Sequence, residues 1–290
     1  MRRAIVIGIN EYPNAPLTGC EFDALQIALF LRDDYGFGPG CVRLLTGARA
    51  TRVEIWDRLI WGVTESEPGD ELVISYSGHG AQEAARDGNG KIVRLQQILC
   101  PVDFSWGNPL SKITDGDWVN IMSRLVRGVR CVAILDSCYS GGMSERKIGG
   151  RLLDGGLRYL AAKEWGRAVG SLTSLQNHVT IKGFPVPFDI DHRNRDAAAL
   201  GIKAKANFGS DALNMACLMG CGEGQTSAET LIEGHVRGVM TYHLLRALSA
   251  KPGVRLDSVM ARVVSDVHQG GFEQVPCIFG MQSDKSFLWR

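Results

Sequence analysis

The residues best suited to covalent chemistry lie in Leu135-Asp136-Ser137-Cys138-Tyr139-Ser140-Gly141-Gly142. The apolar run from Cys131 to Leu135 reads as a buried strand, and Gly141-Gly142 turns the chain sharply after it. Cys138 is thereby set at the mouth of a sheet. Asp136, two residues earlier, points the same way while the chain stays extended. A carboxylate does not activate a neighbouring thiol, because its charge raises the thiol pKa. Asp136 is better suited to a cation docking near the sulfur. The pair therefore suggests a cysteine nucleophile acting on a substrate with a positive side chain. A base for it is offered by Ser77-Gly78-His79-Gly80, which ends the apolar run Glu71 to Tyr76. A histidine between two glycines at the C-terminal end of a strand is exposed to the cleft that forms there in open parallel sheets.

The elements around these residues alternate. Arg3 to Ile9 is a continuous apolar run, as in a strand buried on both faces. A Pro/Asn loop from Asn10 to Pro16 leads into an amphipathic helix opened by Leu17 to Ala24 and ended near Tyr35-Gly36. Val42 to Leu45 is a short strand. Thr51, with Glu54 three residues on, forms a capping box for a helix to about Gly62. Ala81 to Val93 is a loop or hairpin and Leu95 to Val102 a short strand. Thr114 or Asp115 caps a helix from about Asp117 to Arg127. Leu213 to Met219 rejoins the sheet, Gly220 to Thr226 is a turn, Val239 to Ser249 and Leu256 to His268 are helices, and Pro276 to Phe279 is a last strand. This order predicts a mainly parallel α/β sheet.

Composition narrows the class. The chain has 290 residues, 45% hydrophobic and 22% charged, with a formal net charge of +1. That is a globular composition with no global field to recruit nucleic acid or anionic membrane. Basic residues are not interleaved with aromatics on one element, so nucleic-acid binding has no support. No apolar run is long enough to cross a membrane. The eight cysteines have no regular spacing and mostly lie in apolar runs, which fits buried reduced thiols and a cytoplasmic location. The segment from Met143 to Lys205 differs. It has many glycines, no clear period, and eleven Lys/Arg against six Asp/Glu. It reads as a long loop or insert.

His79 precedes Cys138 by 59 residues. The motifs Tyr76-Ser77-Gly78-His79-Gly80 and Asp136-Ser137-Cys138-Tyr139-Ser140-Gly141 resemble those of the caspase-fold proteases, the metacaspases and their bacterial relatives above all. Leu17 to Ala24, Met219 to Ala228 and Gly238 to Tyr242 resemble further segments of that family, in the family's order. The resemblance implies a caspase-like three-layer α/β sandwich, a six-stranded, mostly parallel sheet with helices on both faces. It implies one protease domain over residues 1–290, with 143–207 a basic loop or insert between large-subunit-like and small-subunit-like halves. It implies Cys138 as nucleophile, His79 as general acid and base, and cleavage after Arg or Lys, with Cys20, Asp23, Ser77 and Asp136 in the specificity pocket.

At neutral pH only a few per cent of an ordinary thiol is ionised, so His79 must take its proton and later protonate the leaving amine. The backbone N–H groups of Gly80 and Cys138 are candidates for the oxyanion hole. No third residue orienting His79 is legible; a backbone carbonyl would suffice. Asp23 either joins Asp136 in an acidic pocket for a guanidinium or merely suits the helix dipole. The resemblance also implies a calcium cluster, at positions held here by Gln96, Asp115, Gly116 and Glu145. Only Asp115 and Glu145 are carboxylates, so calcium is at most a weak ligand and no cofactor is required. The basic insert offers Arg146, Lys147 and Arg151, and further on Arg158, Lys163 and Arg167, for a processing cut that would release activity. The cut comes from another copy or an upstream protease; alternatively the insert is a solvated loop or binds an acidic partner. Proteins with Arg or Lys before the cleaved bond are the expected partners, and a monomer the expected state. A caspase-fold regulator or scaffold without proteolysis is the rival reading.

Overall fold

The computed structural model describes residues 1–13, 15–138, 147–148, 151–152, 180–182, 213–222, 225–251, 253–282 and 284–288. The chain runs β1 (Arg2–Gly8), α1 (Cys20–Tyr35), β2 (Val42–Thr46), α2 (Arg52–Thr64), β3 (Glu71–Ser77), β4 (Gly80–Arg86), β5 (Ile92–Leu99), β6 (Ile113–Thr114), α3 (Asp115–Met122) and β7 (Arg130–Asp136). There follow β8 (Lys147–Ile148), β9 (Arg151–Leu152), β10 (Thr180–Ile181), β11 (Ala216–Met219), β12 (Ala228–Ile232), β13 (His235–Gly238), α4 (Val239–Ala250), α5 (Leu256–Gln269) and β14 (Cys277–Phe279).

The central sheet has six strands in the order β14-β11-β7-β3-β1-β2. All neighbours are parallel except the edge pair β11 and β14. Side-chain alternation along these strands feeds two cores. Ile5, Ile7, Leu72, Ile74, Cys131 and Ala133 face α2 and α3 through Ile55, Leu59, Trp118 and Ile121. Ala4, Val6, Val73, Val132 and Ile134 face α1, α4 and α5 through Ala24, Ile27, Met240, Leu244 and Val263. Helices thus cover both faces, as expected, and burying each such aliphatic side chain contributes about 1.5–3 kcal/mol. Strands from both halves of the chain complete this one sheet.

Two smaller sheets flank it. One is β4-β5-β6; the other is β10-β12-β13, entirely antiparallel. The β12-β13 hairpin was not among the sequence expectations. Its turn is Glu233-Gly234, both at positive φ (51° and 81°), the conformation that lets a two-residue loop match strand twist. Helix α3 also stops at Met122, short of the expected Arg127. After it the chain tightens into a turn that buries Leu125, and Gly128 adopts a positive φ of 93°. At the other end of α3 the Thr114 hydroxyl accepts the Asp117 N–H and Asp117 answers with its carboxylate.

Candidate active site

Strand register creates the site. Ser77 and Asp136 end β3 and β7 and are register partners. Both follow the alternation of Val73 and of Val132 and Ile134, so both side chains emerge toward α1. There α1 presents Asp23, one residue before core-facing Ala24. The Ser77 hydroxyl donates to Asp23 Oδ2 at 2.7 Å, and the Gly238 N–H donates to the same carboxylate at 2.9 Å. Asp136 is fixed from the other side: Thr241, in the first turn of α4, donates to Oδ2 from its hydroxyl at 2.7 Å, and the Ser227 hydroxyl donates to Oδ1. A side chain at Gly238 would put its Cβ 2.2 Å from Asp136 Oδ2 and 2.6 Å from Asp23 Oδ2, so glycine is required at the pocket wall.

The cation between these carboxylates belongs to the chain itself. Lys182 is completely buried (0% exposed), with Nζ 2.8 Å from Ser77 Oγ, 3.1 Å from Asp23 Oδ2 and 3.3 Å from Asp136 Oδ2. Burial by itself would strip the ammonium of its charge. The acidic neighbours Asp136, Cys20, Asp23 and Glu229 outweigh it and hold Lys182 well above its usual range. Burial pushes Asp23 up to about 6; the Lys182 ammonium pulls it down and the Asp136 charge adds to the rise.

The backbone of Lys182 is held as firmly as its side chain. Its carbonyl oxygen accepts the N–H of Gly80 at 3.0 Å and of Cys138 at 3.3 Å, the two donors expected to form an oxyanion hole. Its own N–H donates to the Ser227 carbonyl at 3.0 Å, continuing the antiparallel pairing of Thr180 with Glu229 and Ile181 with Ala228. Gly80 must be glycine here, because an added Cβ would lie 1.8 Å from the Cys138 carbonyl oxygen.

The His79 ring contacts the backbone of Lys182, and Cys138 reaches its carbonyl through the N–H. The imidazole Nε2 lies 2.6 Å from the carbonyl oxygen of Ala15, which only accepts, so Nε2 carries the proton and Nδ1 is the basic nitrogen. Ala15 supplies the orienting group that the sequence left unnamed. The Tyr12 ring packs on the imidazole at 4.5 Å, the Tyr12 hydroxyl accepts the His79 N–H, and the Tyr76 hydroxyl donates to the His79 carbonyl. Burial lowers the His79 pKa to about 4, against opposing contacts with the backbone of Ala15 and Lys182. The imidazole is therefore neutral and able to accept a proton. The Cys138 thiol is parked against Ser227, the residue before β12: Sγ accepts the Ser227 N–H at 2.8 Å and donates to the Ser227 carbonyl at 3.2 Å. Cys221 adjoins it, and that contact, with burial, raises the Cys221 pKa well above its usual range.

The family model for the metacaspase, peptidase C14 domain, matches residues 2–146, the half of the chain that contains His79, Asp136 and Cys138. The chain belongs to the metacaspases. Metacaspase-1 of Schizosaccharomyces pombe is 26% identical over 95% of this chain, and Metacaspase-1 of Cryptococcus neoformans 29% over 95%. The chain spans 66% and 61% of those relatives' lengths. Among solved structures, a protein from Geobacter sulfurreducens matches with a TM-score of 0.62 at 19% identity, over 98% of this chain and 97% of that one. Caspase-1 of Spodoptera frugiperda matches with a TM-score of 0.54 at 14% identity, over 96% and 86%. At these identities the two structures establish a shared caspase-like fold.

Beyond the pocket, this metacaspase treats the expected residues unequally. Cys20 is buried beside Glu229, with Sγ 3.6 Å from its Oε2, and burial pushes its thiol up. Among the described residues the calcium positions do not fit a calcium ion. Asp115 Oδ1 is bonded at 2.6 Å by Arg94, which also reaches Gln96 at 3.3 Å, and the Gln96 amide donates to Glu83. A guanidinium thus lies where a divalent cation would need free carboxylate, and Gly116 brings no side-chain ligand. Among the described residues no cluster of three His, Cys, Asp or Glu could hold a metal ion. Glu145 and Arg146 lie outside the described residues, as do Arg158, Lys163 and Arg167. Lys147 and Arg151 belong to the β8-β9 ribbon, and it is Lys182 that fills the pocket.

Lys182, Ser227, Glu229 and Thr241 escaped the sequence reading. Glu229 accepts the Thr18 and Gly19 N–H groups at 2.8 and 2.9 Å and so helps to satisfy the start of α1, with Asn10 accepting the Cys20 N–H. A charged residue inside the apolar stretch Ala228 to Ile232 was the available signal for Glu229. For Lys182 it was a strand-like Val179-Thr180-Ile181 leading to a basic residue and then Gly183.

Proposed function

We propose that this metacaspase is a cysteine endopeptidase that cleaves after Lys or Arg, with Cys138 and His79 as its dyad, made as a zymogen activated by a cut within 143–207. The observation that carries the reading is the posture of Lys182, its ammonium between Asp23 and Asp136 and its carbonyl oxygen on the Gly80 and Cys138 N–H groups. That is how a protease of this kind would hold the residue before the cleaved bond. A guanidinium suits the same two carboxylates through charge-assisted bonds.

Catalysis follows from these residues. His79 Nδ1 takes the thiol proton, the thiolate attacks the substrate carbonyl carbon, and the negative oxygen is held by the two N–H groups, each worth about 3 kcal/mol in the barrier. The ring then protonates the leaving amine, and water, deprotonated by the same nitrogen, hydrolyses the thioester. No step needs a metal, and calcium independence is part of the proposal, supported by Arg94 on Asp115. The eight cysteines are free thiols, which suits a reducing cytoplasm, and no described helix is long and apolar enough to cross a membrane. Turnover of lysyl and arginyl coumarin amides by the purified chain, lost in Cys138→Ala, is expected. Equal turnover in that variant, or none by any form of the protein, would refute the reading.

A further inference from the structure

A second cavity, of about 370 Å³, opens between α1 and α4. Asp23 and Thr241 belong to its wall, whereas Lys182, Ser77 and Asp136 do not. Two guanidiniums line it, Arg237 from β13 and Arg246 from α4. Arg237 is left short of partners. Its side chain is only 15% exposed and its Nε is buried without a hydrogen-bond partner. Glu233 Oε2 lies 3.6 Å from its Nη1, beyond hydrogen-bond reach. A buried guanidinium whose donors go unused is costly and calls for an explanation.

Stacking accounts for where the two arginines stand. The Arg237 guanidinium lies over the rings of Phe22 and Tyr242, at 5.0 and 5.1 Å, and that of Arg246 over Tyr242 at 5.4 Å. Contact through the flat face leaves the N–H donors, which lie in the guanidinium plane, free for other partners. Arg246 directs one of them to the Tyr242 hydroxyl at 3.1 Å, and that hydroxyl donates to Glu233 at 2.9 Å. Glu233 is exposed, and it faces both arginines. The other lining carboxylate, Asp23, is already engaged by Lys182, Ser77 and Gly238. The cavity therefore keeps an excess of positive charge and of unused donors. Gln26 and Ser249 add an amide and a hydroxyl, and Leu245 an apolar wall.

We propose that this cavity binds a phosphate group between Arg237 and Arg246, free or carried on a small organic molecule. A phosphate group presents three acceptor oxygens and about two negative charges at neutral pH, enough for two guanidinium forks at once. A carboxylate has only two oxygens to share between them. The volume exceeds that of the phosphate itself and lies in the range of small-molecule sites, which leaves room for a sugar-sized remainder along Leu245. Phe22 and Tyr242 hold the guanidiniums in place beforehand, so binding orders little. The site also adjoins the acidic pocket. Gly238, next to Arg237, donates to Asp23, and Thr241, next to Tyr242, donates to Asp136. A ligand bridging β13 and α4 clamps the two segments whose donors fix those carboxylates. Binding itself is independent of the protease reading.

The test is calorimetric titration of the full Cys138→Ala chain, in a phosphate-free buffer of low ionic strength, with ribose 5-phosphate, inorganic phosphate, ribose and gluconate. Expected is one ribose 5-phosphate per chain with a dissociation constant of ~0.1 mM or tighter, and no binding of ribose. Arg237→Gln and Arg246→Gln should each weaken it roughly tenfold or more, the loss of a charge-assisted hydrogen bond. Arg262→Gln, which removes the same charge from the exposed side of α5, should leave it unchanged. Should Arg237→Gln fail to fold by circular dichroism, Arg246→Gln, at an exposed position, decides. Tighter binding of the ester than of inorganic phosphate assigns the site to a phosphomonoester; equal binding through the same two arginines assigns it to the free ion. Failure of both to bind at millimolar concentration overturns the inference. So does gluconate binding as tightly as ribose 5-phosphate, or an equal loss in Arg262→Gln, which would reduce the effect to overall charge.

Discussion

Replacing Asp136 by asparagine tests the pocket most directly. The substitution keeps the side chain's shape between Thr241 and Ser227 but removes one of the two charges that face the cation. Lys182 Nζ stands 3.3 Å from Asp136 Oδ2, and the pocket residues are at most 1% exposed. Coulomb attraction at that separation is about 5 kcal/mol with an effective dielectric of about 20. Asp23 remains and part of the gain is spent on desolvation, so a loss of about 3 kcal/mol is expected, the lower end for a broken buried pair. In kcat/KM that is roughly 150-fold. The assay compares lysyl and norleucyl coumarin amides of the same peptide, since norleucine keeps the aliphatic stem without the charge. The ratio of the two cancels any change in the fraction of open clefts. The lysyl preference should fall by roughly 150-fold while norleucyl turnover holds. If both substrates fall together, Asp136 supports the fold rather than the cation, and the pocket assignment fails. If neither changes, the charge at 136 is irrelevant to substrate.

Three further outcomes are expected. Asp23 is raised to about 6 even with the Lys182 ammonium pulling it down, and it must be ionised to bind a cation, so lysyl-peptide kcat/KM should fall as pH drops through about 6 and somewhat above it; a norleucyl substrate showing the same acid limb would assign that limb to the dyad instead. In the uncut chain burial holds His79 near pKa 4, and removing the covering segment should return it toward the ordinary 6.5, an upward shift that imidazole proton NMR of uncut Cys138→Ala protein and of clipped wild-type protein would measure; an unchanged value would mean that Lys182's segment does not shield the ring. Activity should be the same with millimolar calcium and with excess chelator, given Arg94 on Asp115; a calcium requirement would show that the guanidinium does not replace the ion.

The sequence by itself determined much of this protein. Continuous apolar runs ending in His79 and Cys138 fixed a parallel sheet with its chemistry at the strand C-terminal ends, because side-chain period and glycine placement are local properties. The two-residue spacing of Asp136 and Cys138 pointed to Asp136 as a carboxylate for a cation, for the same reason, and Lys182 Nζ lies 3.3 Å from it. What joined Ser77 to Asp136 was strand register, and what joined both to Asp23 was the docking of α1, neither of which is written in any one segment. The orienter of His79 is a backbone carbonyl, at Ala15, and carbonyls carry no residue signature. Lys182 looked like one basic residue among eleven in a basic stretch. Only the tertiary structure distinguished it, because a charge is recognised as bound by the carboxylates that converge on it, and those come from α1 and β7, far away along the chain.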